Sequence, residues 1–167
     1  MKKIYPKLYI ENVKQITKEM LKKYNIKGIL LDVDNTLIDY KCVLLEGTEK
    51  WCEDLKQEGI KFCILSNSHK KNRVEKISKT LNMPYINFAK KPLKNGFLRA
   101  EKILDLKKEE IAMVGDQLFT DVLGANRVNM FSILVDPVDK KESIITRIKR
   151  PIEKYFIKKI TKYKMED

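Results

Sequence analysis

An α/β fold built on a mostly parallel sheet of about five strands is what this 167-residue sequence predicts, on three observations. Short apolar blocks alternate with segments of helical period, the pattern of repeated strand, helix, strand units. Most of those blocks are apolar without interruption, as strands covered on both faces are. Polar residues gather where the blocks end, and in such sheets ligands bind beyond the carboxyl ends of the strands. Together these features describe a Rossmann-like sandwich of three layers, with helices on either side of one sheet.

Residues 1–27, containing "NVKQITKEMLKKYNIKG", predict a helical lead-in that Thr17 is placed to cap. "GILLDV" (28–33) predicts the first strand, and "TEKWCEDLKQEG" (48–59) a helix that Thr48 could cap at its start and Gly59 at its end. "IKFCILS" (60–66), "YINF" (85–88), "IAMVGD" (111–116) and "FSILVD" (131–136) predict the later strands. Between them, "KKNRVEKISKTLN" (70–82), "KNGFLRAEKILDL" (94–106) and "FTDVLGANRV" (119–128) predict helices. The tail from Glu142 to about Tyr163 sets Ile144, Ile148, Ile152, Tyr155 and Phe156 at helical spacing. Pro151 fits the first turn of a second helix there, since a proline in a helix interior costs about 3 kcal/mol. Trp51, Tyr155 and Phe156 read as packing residues. The length suits a single domain over 1–167, organised as the lead-in 1–27, a catalytic core 28–136 and a basic helical tail 137–167.

Composition narrows the function classes. No run of about 18 uncharged apolar residues exists, which excludes a membrane-spanning helix, and the N-terminus lacks the apolar core of a signal peptide. A soluble, unprocessed, cytoplasmic chain is expected. Cys42, Cys52 and Cys63 show no CxxC spacing and are odd in number, so reduced thiols are expected. His69 is the only histidine, which excludes chemistry built on a His pair, and it reads as a surface residue. The formal net charge is +12, and residues 140–164 hold ten Lys or Arg against Glu142 and Glu153. Such a tail points to an anionic partner. Its apolar stripe flanked by Lys and Arg suits peripheral contact with an anionic membrane at the inner surface; nucleic acid fits the charge alone, and no RNA-binding motif accompanies it.

The polar strand ends carry the chemistry. Asp32 and Asp34 close the first strand, Ser66 and Asn67 the second, Lys90 and Lys91 follow the third, and Asp116 closes the fourth. A carboxylate can attack phosphorus to give an aspartyl-phosphate that water later hydrolyses, provided a hard cation such as Mg²⁺ offsets the negative charge. Asp32 suits the nucleophile and metal ligand, and Asp34 the acid that protonates the leaving oxygen and then deprotonates water. Ser66 can donate to phosphoryl oxygens, a lysine can supply compact positive charge, Asp116 a second metal oxygen, and Asp121 a hold on the metal through water. Gly115 leaves room for a tight turn. Thr36 is expected to orient Asp34, Asn67 either to touch phosphate or to form a turn, and Asn35 and Gln117 to support loops.

The segments "DVDNTL" (32–37), "SNS" (66–68), "KKP" (90–92) and "GDQLFTD" (115–121) resemble, in order, the four motifs of the haloacid dehalogenase (HAD) superfamily of aspartate-nucleophile phosphatases. The second Asp is similar to the phosphatases and unlike the dehalogenases, which lack an acid there. "YNIKGILLDVDNTL", "AKKP", "VGDQLFTDVLGANRVNMFSILVDP" and "ITRIKRPIEKY" narrow the resemblance to the YqeG-type, subfamily IIIA phosphatases. That resemblance implies a Mg²⁺-dependent phosphomonoesterase with catalytic Asp32, Asp34, Ser66 and Lys91. It implies substrate contacts from Thr36, Ser66, Asn67 and Lys91, and metal ligands from Asp32, the main-chain carbonyl of Asp34, Asp116 and, through water, Asp121. The motif-three lysine is Lys91 or Lys90, adjacency to Pro92 favouring Lys91. Eukaryotic relatives of the family include phosphatidylglycerophosphate phosphatases, so a phospholipid headgroup is an implied substrate. The alternatives are a phosphatase of a nucleic acid, a protein or a soluble ester, or a non-catalytic RNA- or protein-binding scaffold. Neither the stretch from Asp34 to Thr48 nor that from Asn67 to Lys90 has room for a large cap domain, so the expected HAD fold is capless and its site open.

Overall fold

The computed structural model describes residues 2–139, 151–152 and 155–159. Six parallel strands form one sheet: β1 (Leu8–Ile10), β2 (Gly28–Leu31), β3 (Lys61–Leu65), β4 (Tyr85–Ile86), β5 (Ile111–Gly115) and β6 (Phe131–Val135). Their spatial order is β1-β6-β5-β2-β3-β4. The crossovers carry α2 (Thr48–Gln57), α3 (Lys71–Thr80), α4 (Lys94–Leu104) and α5 (Leu123–Arg127), while α1 (Lys18–Lys23) precedes β2.

The strands are apolar on both faces because both faces are covered. Ile29 and Leu31 of β2 face one layer with Leu21, Trp51, Leu55, Val74 and Ile77 of α1, α2 and α3. Leu30, one residue out of phase, faces Phe97, Ala100, Leu104 and Ala125 of α4 and α5. This is the period-two alternation of a strand read on two buried sides. Trp51 lies in the core as expected, its indole N–H donating to the Ile16 carbonyl at 2.9 Å. Cys52 and Cys63 are buried free thiols and Cys42 an exposed one; burial pushes the Cys52 and Cys63 thiols up to about 12.

Four expectations need correction. The lead-in is only partly helical: Thr17 caps α1 by accepting from the Met20 N–H, but Leu8–Ile10 forms a sixth strand that pairs with β6, Leu8 opposite Ile133. Thr48 is the first helical residue of α2 and not its cap; Gly47 makes the turn at φ +81, and the Thr48 hydroxyl donates backward to the Leu45 carbonyl at 2.6 Å. The helix expected over 119–128 splits into a wide π-helical turn, Leu118–Val122, followed by α5. Tyr155 is exposed, while Phe156 packs edge-on against Phe119 with ring centroids 6.2 Å apart. Residues 151–152 and 155–159 are helical. The remainder of the basic tail, residues 140–150, 153–154 and 160–167, lies outside the described residues.

Candidate active site

β2, β3 and β5 are neighbours at the centre of the sheet, and beyond their carboxyl ends lies a cleft of about 710 Å³ whose lining includes the predicted Asp32, Asp34, Asn67 and Lys91. The chain leaves β2 after Leu31 and turns at Asn35, whose φ of +63 is a left-handed conformation that asparagine tolerates better than most residues. Two isolated bridges, Asp34 to Ile38 and Ile38 to Leu44, then fold residues 38–44 into a small flap that puts Tyr40 on the cleft wall. Asp32 and Asp34, on either side of Val33 at this strand end, both line the cleft.

At the floor three charges meet. The Lys91 ammonium is 2.7 Å from Asp32 Oδ1, 2.7 Å from Asp121 Oδ1 and 2.7 Å from the Leu65 carbonyl oxygen. Asp32, Lys91, Asp116 and Asp121 are all buried. Burial raises the Asp32 carboxyl to about 7, with Asp121 and Asp34 adding repulsion against the opposing pull of Lys91. Burial alone would lower the Lys91 ammonium, but Asp121 and Asp32 outweigh it and hold the group above the usual lysine range. Lys90 is exposed, its ammonium 5.1 Å from the centre of the Phe88 ring. The lysine at the floor is therefore Lys91.

The donor set suits a hard divalent cation such as Mg²⁺. Asp32, Asp116 and Asp121 each offer a carboxylate oxygen, all within 4.8 Å of one another, and hard cations take oxygen ligands. The Gln117 N–H donates to Asp121 Oδ2 at 3.1 Å. Its Oδ1 pairs with the Lys91 ammonium at 2.7 Å. Three buried carboxylates with one ammonium among them leave a surplus of acidic groups, which a cation would offset. Gly115 serves this arrangement differently from expected: a Cβ there would lie 2.2 Å from Asp121 Oδ2, so the missing side chain makes room for the carboxylate.

The remaining predicted residues take distinct places. Thr36 is buried, its hydroxyl 3.5 Å from both Asp32 Oδ2 and Asp116 Oδ1, so it stands between those two carboxylates and not beside Asp34 as expected. Ser66 is buried with its hydroxyl accepting from the Ser68 N–H at 3.0 Å. Asn67 lines the cleft and clamps the Lys91 main chain from both ends of its amide, donating to the carbonyl at 2.9 Å and accepting from the N–H at 2.7 Å. His69 is exposed at the rim against Phe88, ring centroids 4.5 Å apart. Asp34 is on the rim as well, and a residue that the sequence reading missed is bonded to it: Arg73 Nη1 donates to Asp34 Oδ1 at 2.6 Å. The signal for Arg73 was positional, since the first turn of a helix that follows a strand end lies on the binding rim.

No domain is inserted over the cleft: only the flap and its connections separate β2 from α2, and only α3 with its connecting turns separates β3 from β4. Among the described residues, no helix is long and apolar enough to cross a membrane.

Comparison with known proteins agrees with this geometry. The family described as haloacid dehalogenase-like hydrolase matches residues 40–129. The chain is 41% identical to the probable phosphatase YqeG of Bacillus subtilis, over 92% of this chain and 90% of the relative. It is 25% identical to phosphatidylglycerophosphate phosphatase 1, chloroplastic/mitochondrial, of Arabidopsis thaliana, over 93% of this chain and 48% of the relative. It is also 25% identical to the ribulose-1,5-bisphosphate 5-phosphatase of Halopiger xanaduensis, over 60% of this chain and 45% of the relative. With the match to the family, the similarity to YqeG along almost the whole chain, and three buried aspartates at the ends of parallel strands, the chain belongs to the haloacid dehalogenase superfamily and is a phosphatase of its YqeG type.

Proposed function

We propose that the protein hydrolyses phosphate monoesters through an aspartyl-phosphate on Asp32, and that its substrates are in the first place soluble esters. The observation that carries this reading is the buried group of Asp32, Lys91, Asp116 and Asp121 at the floor of a cleft open to solvent. Lys91 occupies Asp32 Oδ1, which leaves Oδ2 as the attacking oxygen. Attack forms the bond from Oδ2 to phosphorus while the ester P–O bond breaks; Asp34 gives a proton to the departing oxygen. Asp34 then takes a proton from the water that attacks phosphorus, which releases phosphate and restores Asp32. Lys91 holds a fixed positive charge against the nucleophile and the charge that develops on the phosphoryl group. Asp32, Asp116, Asp121 and the Asp34 main-chain carbonyl would hold Mg²⁺, whose charge offsets that of nucleophile and phosphate together.

Lys70, Arg73 and Asn67 on the cleft wall, beside the acidic Asp34 and Asp39, offer donors to a polar, anionic substrate. Similarity to a ribulose-1,5-bisphosphate 5-phosphatase supports a soluble ester. A phospholipid headgroup is the second reading, supported by similarity to a phosphatidylglycerophosphate phosphatase along 93% of this chain. Exposed Ile152 and Tyr155 near Lys158 and Lys159 add an amphipathic element suited to a membrane surface. The test is phosphate release from an aryl phosphate, soluble sugar phosphates, nucleotides and phosphatidylglycerophosphate micelles, with Mg²⁺ and with EDTA. Mg²⁺-dependent release that Asp32→Asn abolishes is expected. Retention of a tenth of the parent rate in that variant would remove Asp32 as nucleophile, and the ranking of the panel decides between the two substrate readings.

A further inference from the structure

Arg73 stands at the third position of α3 with its side chain 23% exposed, on the wall of the same cleft as Asp32 and Lys91. A guanidinium carries five N–H donors in a rigid fork. Among the described residues, Asp34 is the one group to which this guanidinium donates, through Nη1 alone at 2.6 Å. Lys70 lines the wall one helical turn away, and no acidic residue stands in the first turn of α3. The wall thus sets Lys70 and Arg73 beside Asp34 and Asp39, and the guanidinium keeps planar donors to spare. Partial burial of an arginine for one bond to a rim carboxylate is poorly explained by stability, since ion pairs of that exposure contribute about 0–1 kcal/mol.

We propose that Arg73 is a specificity-determining residue: while Nη1 holds Asp34, its other N–H groups grip a second anionic group on the substrate, a few bonds from the ester oxygen. This rests on the phosphatase reading above, in which Asp34 serves the leaving oxygen. The atoms attached to that oxygen then lie beside Asp34 and hence beside Arg73, while the transferred phosphoryl group sits deeper, at Asp32 and Lys91. A planar fork matches two oxygens of a phosphate or carboxylate, whereas Lys70 adds only a point charge. The second anion can come from a soluble bisphosphate or from the phosphodiester of a lipid headgroup.

The experiment compares substrates in pairs. The soluble pair is 1,3-propanediol bisphosphate and propyl phosphate. The lipid pair, in mixed micelles, is a phospholipid whose headgroup carries a terminal phosphomonoester beyond its phosphodiester, and phosphatidic acid, which lacks the diester. The parent enzyme is expected to favour the doubly anionic member of at least one pair by about tenfold or more in kcat/KM, mainly through KM, a size typical of a charged hydrogen bond. Arg73→Gln should erase the preference and Arg73→Lys restore part of it, the pair that shows it identifying the source. Equal losses on both members, or no preference in either pair, overturn the proposal. A binding arm separates this failure from failure of the phosphatase reading: calorimetry of Asp32→Asn, with and without Arg73→Gln, against propane-1,3-bisphosphonate and propylphosphonate. An Arg73-dependent preference for the bisphosphonate sustains the proposal even if turnover is absent, and its absence together with no Arg73-dependent preference in the lipid pair overturns the proposal even if turnover is brisk.

Discussion

Lys91 is nearly dry, and the two carboxylates that it touches are nearly as dry. Removing one member of a buried charge group leaves the others uncompensated, at a cost of about 3–5 kcal/mol. Lys91→Met should therefore lower the urea stability of the metal-free protein by about that much, with part regained in Mg²⁺. Equal loss in EDTA and in Mg²⁺ would show that lost packing, and not lost charge, is the cause. Asp34→Asn should act differently, because its side chain is on the rim, 43% exposed. It should phosphorylate with an aryl phosphate, whose leaving oxygen needs no proton, and then stall, so that acid quenching and peptide mass analysis find phosphate on Asp32. Phosphate on Asp34 in the parent enzyme would reverse the two roles. The floor of the site was legible because carboxylates, a lysine and their spacing carry the chemistry on their face. Thr36 and Arg73 were less so: a threonine names no partner, and a lone arginine in a polar helix looks like any solvated charge.

Among the elements, the long apolar strands read easily and the short ones did not. β2, β3, β5 and β6 announce themselves by unbroken apolar runs, while Leu8–Ile10 is three residues of intermediate burial at the sheet edge, too few to show a period. The π-helical turn at Leu118–Val122 was hidden for another reason: it keeps the composition of a helix while widening the turn that carries Asp121 beside the floor. Two glycines at element ends separate site from scaffold. Gly115→Ala brings a Cβ to 2.2 Å from the Asp121 carboxylate, and Gly124→Ala brings one to 2.4 Å from the Phe97 ring. The first should weaken Mg²⁺ binding by about tenfold or more, the effect of disturbing one carboxylate ligand. The second should cost about 1–3 kcal/mol of stability as overpacking does, with Mg²⁺ affinity retained. Calorimetric Mg²⁺ titration and urea unfolding of both variants test the contrast, and matching profiles would refute it.

For the molecule as a whole, the Asp32 carboxyl links metal, pH and stability. Its value of about 7 in the folded, metal-free state stands above the ordinary 3.8. Between those values the folded chain holds a proton that the unfolded chain has released, so this contribution stabilises the fold at low pH and is lost as pH rises through 7. In EDTA, the urea midpoint should accordingly fall between pH 5 and pH 7.5. Mg²⁺ competes with the same proton, so binding at about pH 6.5 should release a proton, seen as a buffer-dependent heat, and release none by about pH 8.5. A heat independent of buffer at pH 6.5 would remove Asp32 as the proton donor. The sandwich and the convergence of strand ends were legible at this scale because alternating units leave few topologies. The small flap at 38–44 was not, since it rests on bridges between single residues.

The sheet order also sets a sequence in time. Among the described residues β1 pairs with β6 alone, Tyr9 opposite Leu134, although the two strands lie far apart in the sequence. A chain emerging from the ribosome at about 5–20 residues per second must wait on the order of 6–25 s between the synthesis of these partners. During that interval β2 and β3 can already pair, whereas Leu8–Ile10 has no sheet partner to join. The edge is thus closed late, by residues made long before their partner, and until β6 emerges Leu8–Ile10 waits with its own hydrogen-bonding groups unpaired.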